Sequence, residues 1–495
     1  MGRIDLRYVA WFSLLVATGI VATLYPYLWL GCLAGAVTLV ICWAIWKILR
    51  RAGLELWQVI AVTNISCYLI LNYGYDNLCL HVGGFPLPVA YGMMWTSFGM
   101  AAVAEWQSVV RTLREPALWC CFALLGLAFV HLVSDIPAFG SLAFRDATMC
   151  FDAMFLIFGM VWARKKDAPE FIPKWLLIMF TVNMFYSFTL PWAQTVWGWS
   201  PEGGAYMPVP VLGNFHGSGD LLLAGTVFCL CVGNLVIKRP GWLMSALAMG
   251  QLLGIGITQV RRMYLGIVVV IVILILAGEI KKFSKLFILV PAALAVLFAV
   301  TSIGGLEISG RIGKVSPQFF IDHLRSIGGA EDTPGSDPQS RVIMANQAYK
   351  HFLAHPVLGE GFGKPVVEIV DEETGMPTRT PHNSTICYLA RLGTVGILFW
   401  AAFHFCVCIR FFYAYLHRRS ADKKVYSYVL WAFLYYVLFM MSSMVESPFE
   451  YPGVAIPFYF LIGTALGMIR WQLFRKKAKE PQLISFPDGI EKAHV

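Results

Sequence analysis

From Tyr8 to Arg470 one apolar run follows another, most of them close to the roughly 20 residues a helix needs to cross a bilayer. Fourteen can be marked, near residues 8–24, 28–49, 56–73, 88–106, 116–134, 146–163, 175–195, 218–237, 242–258, 263–280, 286–303, 384–409, 426–445 and 454–470. Hydrocarbon offers no partner to backbone N–H and C=O groups, and a helix satisfies them within its own segment. The fold class this predicts is all-α, a polytopic membrane protein of about fourteen transmembrane helices. A β-barrel would show alternating segments of about ten residues instead. Composition agrees: 58% of the residues are hydrophobic and 14% charged, against about 25% charged in soluble globular chains. A water-soluble enzyme, a disordered chain, collagen and a disulfide-stapled scaffold are excluded.

Lys and Arg orient the bundle, because cytoplasmic loops concentrate them. Alternate connections hold Lys47/Arg50/Arg51, Arg111/Arg114, Arg164/Lys165/Lys166/Lys174, Lys238/Arg239, Lys281/Lys282/Lys285, Arg418/Arg419/Lys423/Lys424 and Arg475/Lys476/Lys477/Lys479. With Arg3 and Arg7 this predicts both termini on the cytoplasmic side of the membrane. The first run lacks a small-residue cleavage site and reads as an uncleaved span. Most of the 12 cysteines lie inside apolar runs, where the residue behaves as a small hydrophobe. Four regions follow: spans one to eleven over 1–303, a large external loop over 304–381, spans twelve to fourteen over 382–470, and a basic cytoplasmic tail over 471–495. In the loop, Gly304 to Ser340 reads as irregular. Residues 340–354 place Val342, Ala345, Tyr349 and Phe352 at helical spacing, with Ser340 as cap and Pro356 and Gly359 as the exit. No internal repeat is visible, which argues against inverted-repeat transporter folds.

Arg261 and Arg262 break the charge rule, lying between two apolar runs on the face that otherwise excludes basic residues. A guanidinium forks onto phosphate oxygens, so the pair points to an anionic ligand; snorkelling to water is the alternative. Arg145, opening span six, follows the same logic. His382 precedes Asn383 and Ser384 at the start of span twelve. A helix N-terminus favours a nearby anion and keeps a histidine neutral, as a general base requires; Asn383 is its supporting cap residue. A plain interfacial histidine is the alternative. Arg391 lies nine steps on, rotated about 180° from His382 and roughly 13 Å deeper, and reads as a buried structural charge paired with Glu446. His351 and His355 have the spacing of a metal-binding face but no third ligand, so no metal is expected.

The run Arg341-x14-Pro356-x2-Gly359-x-Gly361-x-Gly363, then His382-Asn383-Ser384 and Leu392-Gly393-x2-Gly396, resembles the signature of the O-antigen ligase and polymerase superfamily. Looser likenesses are Gly213-Asn-Phe-His-Gly-Ser-Gly-Asp220 and Thr258-Gln-Val-Arg261-Arg-Met-Tyr-Leu-Gly266. The chain departs from the pattern at Ala345, Arg391 and Gly219. The resemblance implies a membrane glycosyltransferase fold of GT-C-like type, with the large loop periplasmic. It further implies an inverting enzyme that takes a glycan from undecaprenyl pyrophosphate with neither cofactor nor metal. Arg261 and Arg341 would hold the pyrophosphate, with Arg262 and Arg145 beside them, and His382 would activate the acceptor hydroxyl. The expected partners are the lipid-linked glycan, a glycan or lipid A core acceptor, membrane lipids and other polysaccharide-assembly proteins, without nucleic acid. Fourteen spans favour a polymerase over a ligase. The rival reading is a flippase for lipid-linked oligosaccharide.

Overall fold

The computed structural model describes residues 53–82, 85–203, 209–212, 215, 218–236, 241–302, 308–325, 338–370 and 377–473. The spans expected near 8–24 and 28–49, the first external loop and the tail from 474 lie outside them. Each of the other expected spans coincides with a helix. These are α1 (Leu56–Leu71), α2 (Val89–Ala104), α3 (Pro116–Phe139), α4 (Ser141–Ala163), α5 (Ala168–Ser187), α6 (Ser218–Gly233), α7 (Gly241–Thr258), α8 (Arg261–Leu276) and α9 (Ile280–Ser302). After the loop come α12 (Ser384–Leu416), α13 (Lys423–Ser443) and α14 (Pro452–Trp471), with α10 (Pro317–Arg325) and α11 (Pro338–Ala354) inside the loop.

The protein is a multi-pass α-helical membrane protein. Among the described residues 7 helices are long and apolar enough to cross a bilayer, or 8 if α5 and Leu190–Gly198, bent by 46°, form one span. Helices α1 and α2 have 16 residues each, about 24 Å at 1.5 Å per residue, short of a hydrocarbon core of about 30 Å. The count of fourteen thus remains an expectation from hydropathy.

The interior is built on α4 and α14. Every residue from Phe155 to Ala163 is buried, and glycines let the two backbones meet: a Cβ on Gly159 would fall 2.0 Å from the Phe460 carbonyl oxygen, one on Gly463 2.1 Å from that of Leu156. Small residues at helix interfaces are how membrane helices gain packing where burial from water cannot drive it.

The loop departs from expectation in three ways. Pro317–Arg325, read as irregular, is the helix α10; its Phe320 packs into an apolar cluster with Ile257, Leu297 and Val315. Helix α11 begins at Pro338, so Ser340 lies within its first turn and is not the cap. Proline suits a first helical position, where its missing N–H has no partner to lose. Its buried stripe is Met344 and Ala348, set against Val366, Cys387 and Ala390, while Val342 and Tyr349 are exposed. Ala348 carries little hydropathy yet allows close approach, and side-chain size is what hydropathy spacing ignores.

The Pro356–Gly363 run is a structural wedge. Gly359, Gly361, Gly363 and Gly393 all have positive φ, and Gly393 breaks α12 near the end of its first ten residues. There Thr394 N and Val395 N donate to the carbonyls of Pro356 and Val357 at 2.9 and 3.1 Å, and Glu360 N and Gly361 N donate to those of Ala390 and Arg391 at 3.0 and 2.9 Å. The Phe362 and Gly363 N–H groups donate to Asp135 and Asp146 at 2.7 and 3.1 Å. The wedge therefore clamps the loop to α3, α4 and α12 and fixes the short helical stretch from Ser384 to Gly393 that follows His382.

Candidate active site

His382 follows the buried Pro381 and holds φ at 47°, a left-handed backbone rare outside glycine. Asn383 caps α12: its Oδ1 accepts from Ile386 N at 3.1 Å, and its Nδ2 donates to the Met444 carbonyl at 3.0 Å. That second bond ties the helix start to the segment after α13. There Glu446 Oε2 lies 3.1 Å from His382 Nδ1. Glu446 Oε1 accepts from Arg262 Nη1 at 3.2 Å, and Arg262 forks onto Asp220 with Nη2–Oδ2 at 2.7 Å and Nε–Oδ1 at 3.3 Å. Ser442 Oγ donates to Asp220 Oδ1 at 2.6 Å. His382, Glu446, Arg262 and Asp220 thus form one chain of charges across α12, α13, α8 and α6.

Two of the expected phosphate ligands, Arg261 and Arg341, come together: their guanidinium charges lie close enough to act on each other. Arg261 also acts on the buried His323 of α10, which its charge and, above all, burial push down to about 4. Arg262 is turned onto Asp220 and Glu446, so its departure from the charge rule is accounted for by protein carboxylates. Arg145 sits within α4 rather than opening it, and binds Asp146 Oδ1 at 2.7 Å. Its charge reaches Tyr451, whose ring meets that of Tyr73 at 4.7 Å; both tyrosines feel Glu446.

Arg391 is not paired with Glu446. It is fully buried, with Nη2 3.0 Å from Asp146 Oδ2. The same oxygen takes Arg379 Nη2 at 3.1 Å, and Arg379 also donates to the Gly363 carbonyl at 2.6 Å. The rotation that points Arg391 away from His382 carries it to α4, a neighbour the sequence spacing does not reveal. His351 pairs with Glu360 rather than joining His355.

Sequence reasoning gave no site role to Asp220 or Glu446. Asp220 stands inside a segment already noted for its likeness, and Glu446 is a rare carboxylate at the end of an apolar run.

His382 at the helix start is thus braced by a carboxylate that Arg262 also binds. Residues 244–401 match the O-antigen ligase family. The match, about a third of the chain, takes in Arg261, Arg262, Arg341, His382 and Asn383, and supports the O-antigen ligase and polymerase superfamily. It supports a glycosyltransferase-type protein of O-antigen ligase or polymerase kind. Arg145, Asp220 and Glu446 fall outside the matched segment. No curated protein matches the chain.

Proposed function

We propose that this protein transfers a glycan from undecaprenyl pyrophosphate to an acceptor hydroxyl on the periplasmic face of a bacterial inner membrane, with inversion and without a metal. The observation that carries the reading is the 3.1 Å approach of His382 Nδ1 to Glu446. A carboxylate on one ring nitrogen fixes the tautomer that leaves Nε2 free to accept a proton, and stabilises the imidazolium that forms. Arg262 and Asp220 hold Glu446 in place.

The acceptor oxygen attacks the anomeric carbon, its proton passes to His382 Nε2, and the bond to the pyrophosphate oxygen breaks on the opposite face. One displacement inverts the centre. The charge released on the pyrophosphate falls to Arg261 and Arg341, which neutralise it where it develops. A pyrophosphate leaves readily, so neither a protein acid nor a divalent cation is required by this scheme. Of the two acceptor classes we favour a second lipid-linked repeat, on the expected number of spans, over a lipid A core sugar.

Purified protein in detergent, given defined undecaprenyl-pyrophosphate glycan and each acceptor, should extend the glycan with inverted stereochemistry and in excess EDTA. Complete loss in EDTA, rescued by a divalent ion, would replace the scheme with a metal-dependent one. No product with any acceptor, together with glycan export supported by His382→Asn in cells, would favour a flippase.

A further inference from the structure

The first turn of the wedge touches two spanning helices at the same height. At the end of the bundle away from His382, Glu115 accepts from Arg410 Nε and Nη2 at 2.6 and 2.9 Å and from Arg470 Nη1 at 3.4 Å, so the start of α3, the lower part of α12 and the end of α14 share one layer of charge. Sixteen residues on from Glu115 along α3 stands His131, whose Nε2 donates to the Leu358 carbonyl at 2.8 Å. Sixteen residues back from Arg410 along α12 stands Thr394, whose N–H and hydroxyl both donate to the Pro356 carbonyl, at 2.9 and 2.8 Å. Two antiparallel helices thus put the turn about 24 Å above the charged layer, at 1.5 Å per residue. That is about 6 Å short of the far edge of a hydrocarbon core about 30 Å thick, and any helix tilt sinks the turn further.

The chemistry of the turn fits that depth. Irregular backbone is tolerated within a membrane only where the protein supplies partners for its polar groups. The carbonyls of Pro356, Val357 and Leu358 are all taken, the second by Val395 N at 3.1 Å, and proline has no N–H to satisfy. His131 and, one turn on, Asp135, which accepts from Phe362 N at 2.7 Å, are polar residues that an apolar helix keeps for this attachment. Outward, Leu353, Val357 and Leu358 are exposed. Exposed at the same level are Val130 and Val133, which flank His131, and Leu398, one turn from Thr394. His355, the one ionisable side chain of the turn, has an apolar body and a polar tip, which suits it to a place close below the headgroups. Carboxylate charge returns at Glu360, whose N–H meets the Ala390 carbonyl at 3.0 Å, one helical turn nearer His382, and there it is paired with His351 and Lys364.

We propose that residues 353–358 are re-entrant: they dip from the large loop into the leaflet on the His382 side, where the acyl chains of the bilayer cover Leu353, Val357 and Leu358. The partner of this surface is lipid, continuous with the lipid around α3 and α12, and neither a second protein nor another segment of the chain.

The test uses the full chain in lipid nanodiscs. A nitroxide coupled to p-acetylphenylalanine, placed in turn at Val357, Leu358 and Leu353, leaves the native cysteines untouched. Collision with oxygen, which partitions into hydrocarbon, is compared with collision with a water-soluble nickel chelate. The ratio at Val357 and Leu358 should match that of a label at Val133 and exceed severalfold that of a label at Arg419, an exposed residue of the turn after α12. A ratio like that at Arg419 overturns the proposal, and so does a label shielded from both colliders, because protein then covers the turn. Position 353 decides if labels at 357 and 358 lower the thermal midpoint. Unlabelled variants give a second reading, since a carboxylate is costly in hydrocarbon and harmless in water. Val357→Asp should lower the yield of folded protein severalfold while Val357→Phe leaves it unchanged. Equal yields of the two would overturn the proposal independently of the labels.

Discussion

His382 Nδ1 and Glu446 Oε2 approach to 3.1 Å across a separation of 64 residues in the chain. Two independent braces produce the contact: Asn383 bonds to the Met444 carbonyl, and Arg262 holds the far oxygen of Glu446. If the carboxylate fixes the histidine tautomer, Glu446→Gln should cost about a hundredfold or more in turnover, within the range general-base catalysis contributes. The glutamine can present an N–H to Nδ1 and favour the wrong tautomer, so donor binding should change little. Single-turnover rates alongside donor affinity separate the two quantities. Unchanged turnover would reduce Glu446 to a partner of Arg262.

Arg261 and Arg341 lie close enough for their charges to act on each other, as two halves of one anion clamp would. Lysine at 261 keeps the charge but loses the planar fork. Arg261→Lys should therefore weaken donor binding about tenfold, and Arg341→Ala should do so with the thermal midpoint near that of the wild type. Full donor affinity in a folded Arg261→Ala protein would return that residue to snorkelling.

Asp146 carries a different burden. It accepts from Arg391, Arg379, Arg145 and the Gly363 N–H, and both it and Arg391 are buried. Removing one partner leaves the others as uncompensated charge in a dry interior, at a cost of about 3–5 kcal/mol. Arg391→Ala and Asp146→Ala should each lower the thermal midpoint sharply. Arg391→Ala combined with Asp146→Ala should be less destabilising than the sum of the two, which a double-mutant cycle of thermal unfolding measures. Simple additivity would show that the pair is not coupled.

What the sequence makes legible follows from the range of the forces involved. Apolar length is a local property, and so the long apolar helices between residues 56 and 471 coincide with the marked runs. His382 and Arg261 stand out as candidates because of local features, one by its place before a helix start and the other by a charge between two apolar runs. Asp220 and Glu446 stand out by neither. Their meeting with Arg262 spans 42 and 184 residues and depends on how α6, α8 and α13 pack, which no spacing encodes. Arg391 shows the same limit: helical rotation correctly turns it from His382, yet the choice between Glu446 and Asp146 as partner is tertiary. The buried face of α11 is misread because Ala348 matters by its smallness.

The most recognisable motif of the chain should prove structural, and its least conspicuous neighbour chemical. Gly393 sits at φ 62°, and a Cβ there would fall 2.4 Å from the Val357 carbonyl oxygen and 2.5 Å from Gly359 N. Both are backbone atoms of the wedge and cannot swing aside. Gly393→Ala must accept a left-handed alanine, about 1–2 kcal/mol, and also push the wedge off α12, losing the Thr394 and Val395 hydrogen bonds. Poor expression or a much lower thermal midpoint is expected, with activity lost in proportion to folded protein. His382 is left-handed too, at φ 47°, so alanine there would mix backbone strain with lost chemistry. Asparagine tolerates that conformation far better and keeps a polar side chain. His382→Asn should match the wild type in yield, thermal midpoint and donor binding, and should fail in transfer. The two variants make a double dissociation, measurable by yield and thermal midpoint on one side and single-turnover transfer per folded molecule on the other. A stable, active Gly393→Ala protein would remove the structural role of the wedge, and transfer by His382→Asn near the wild-type rate would remove the general base.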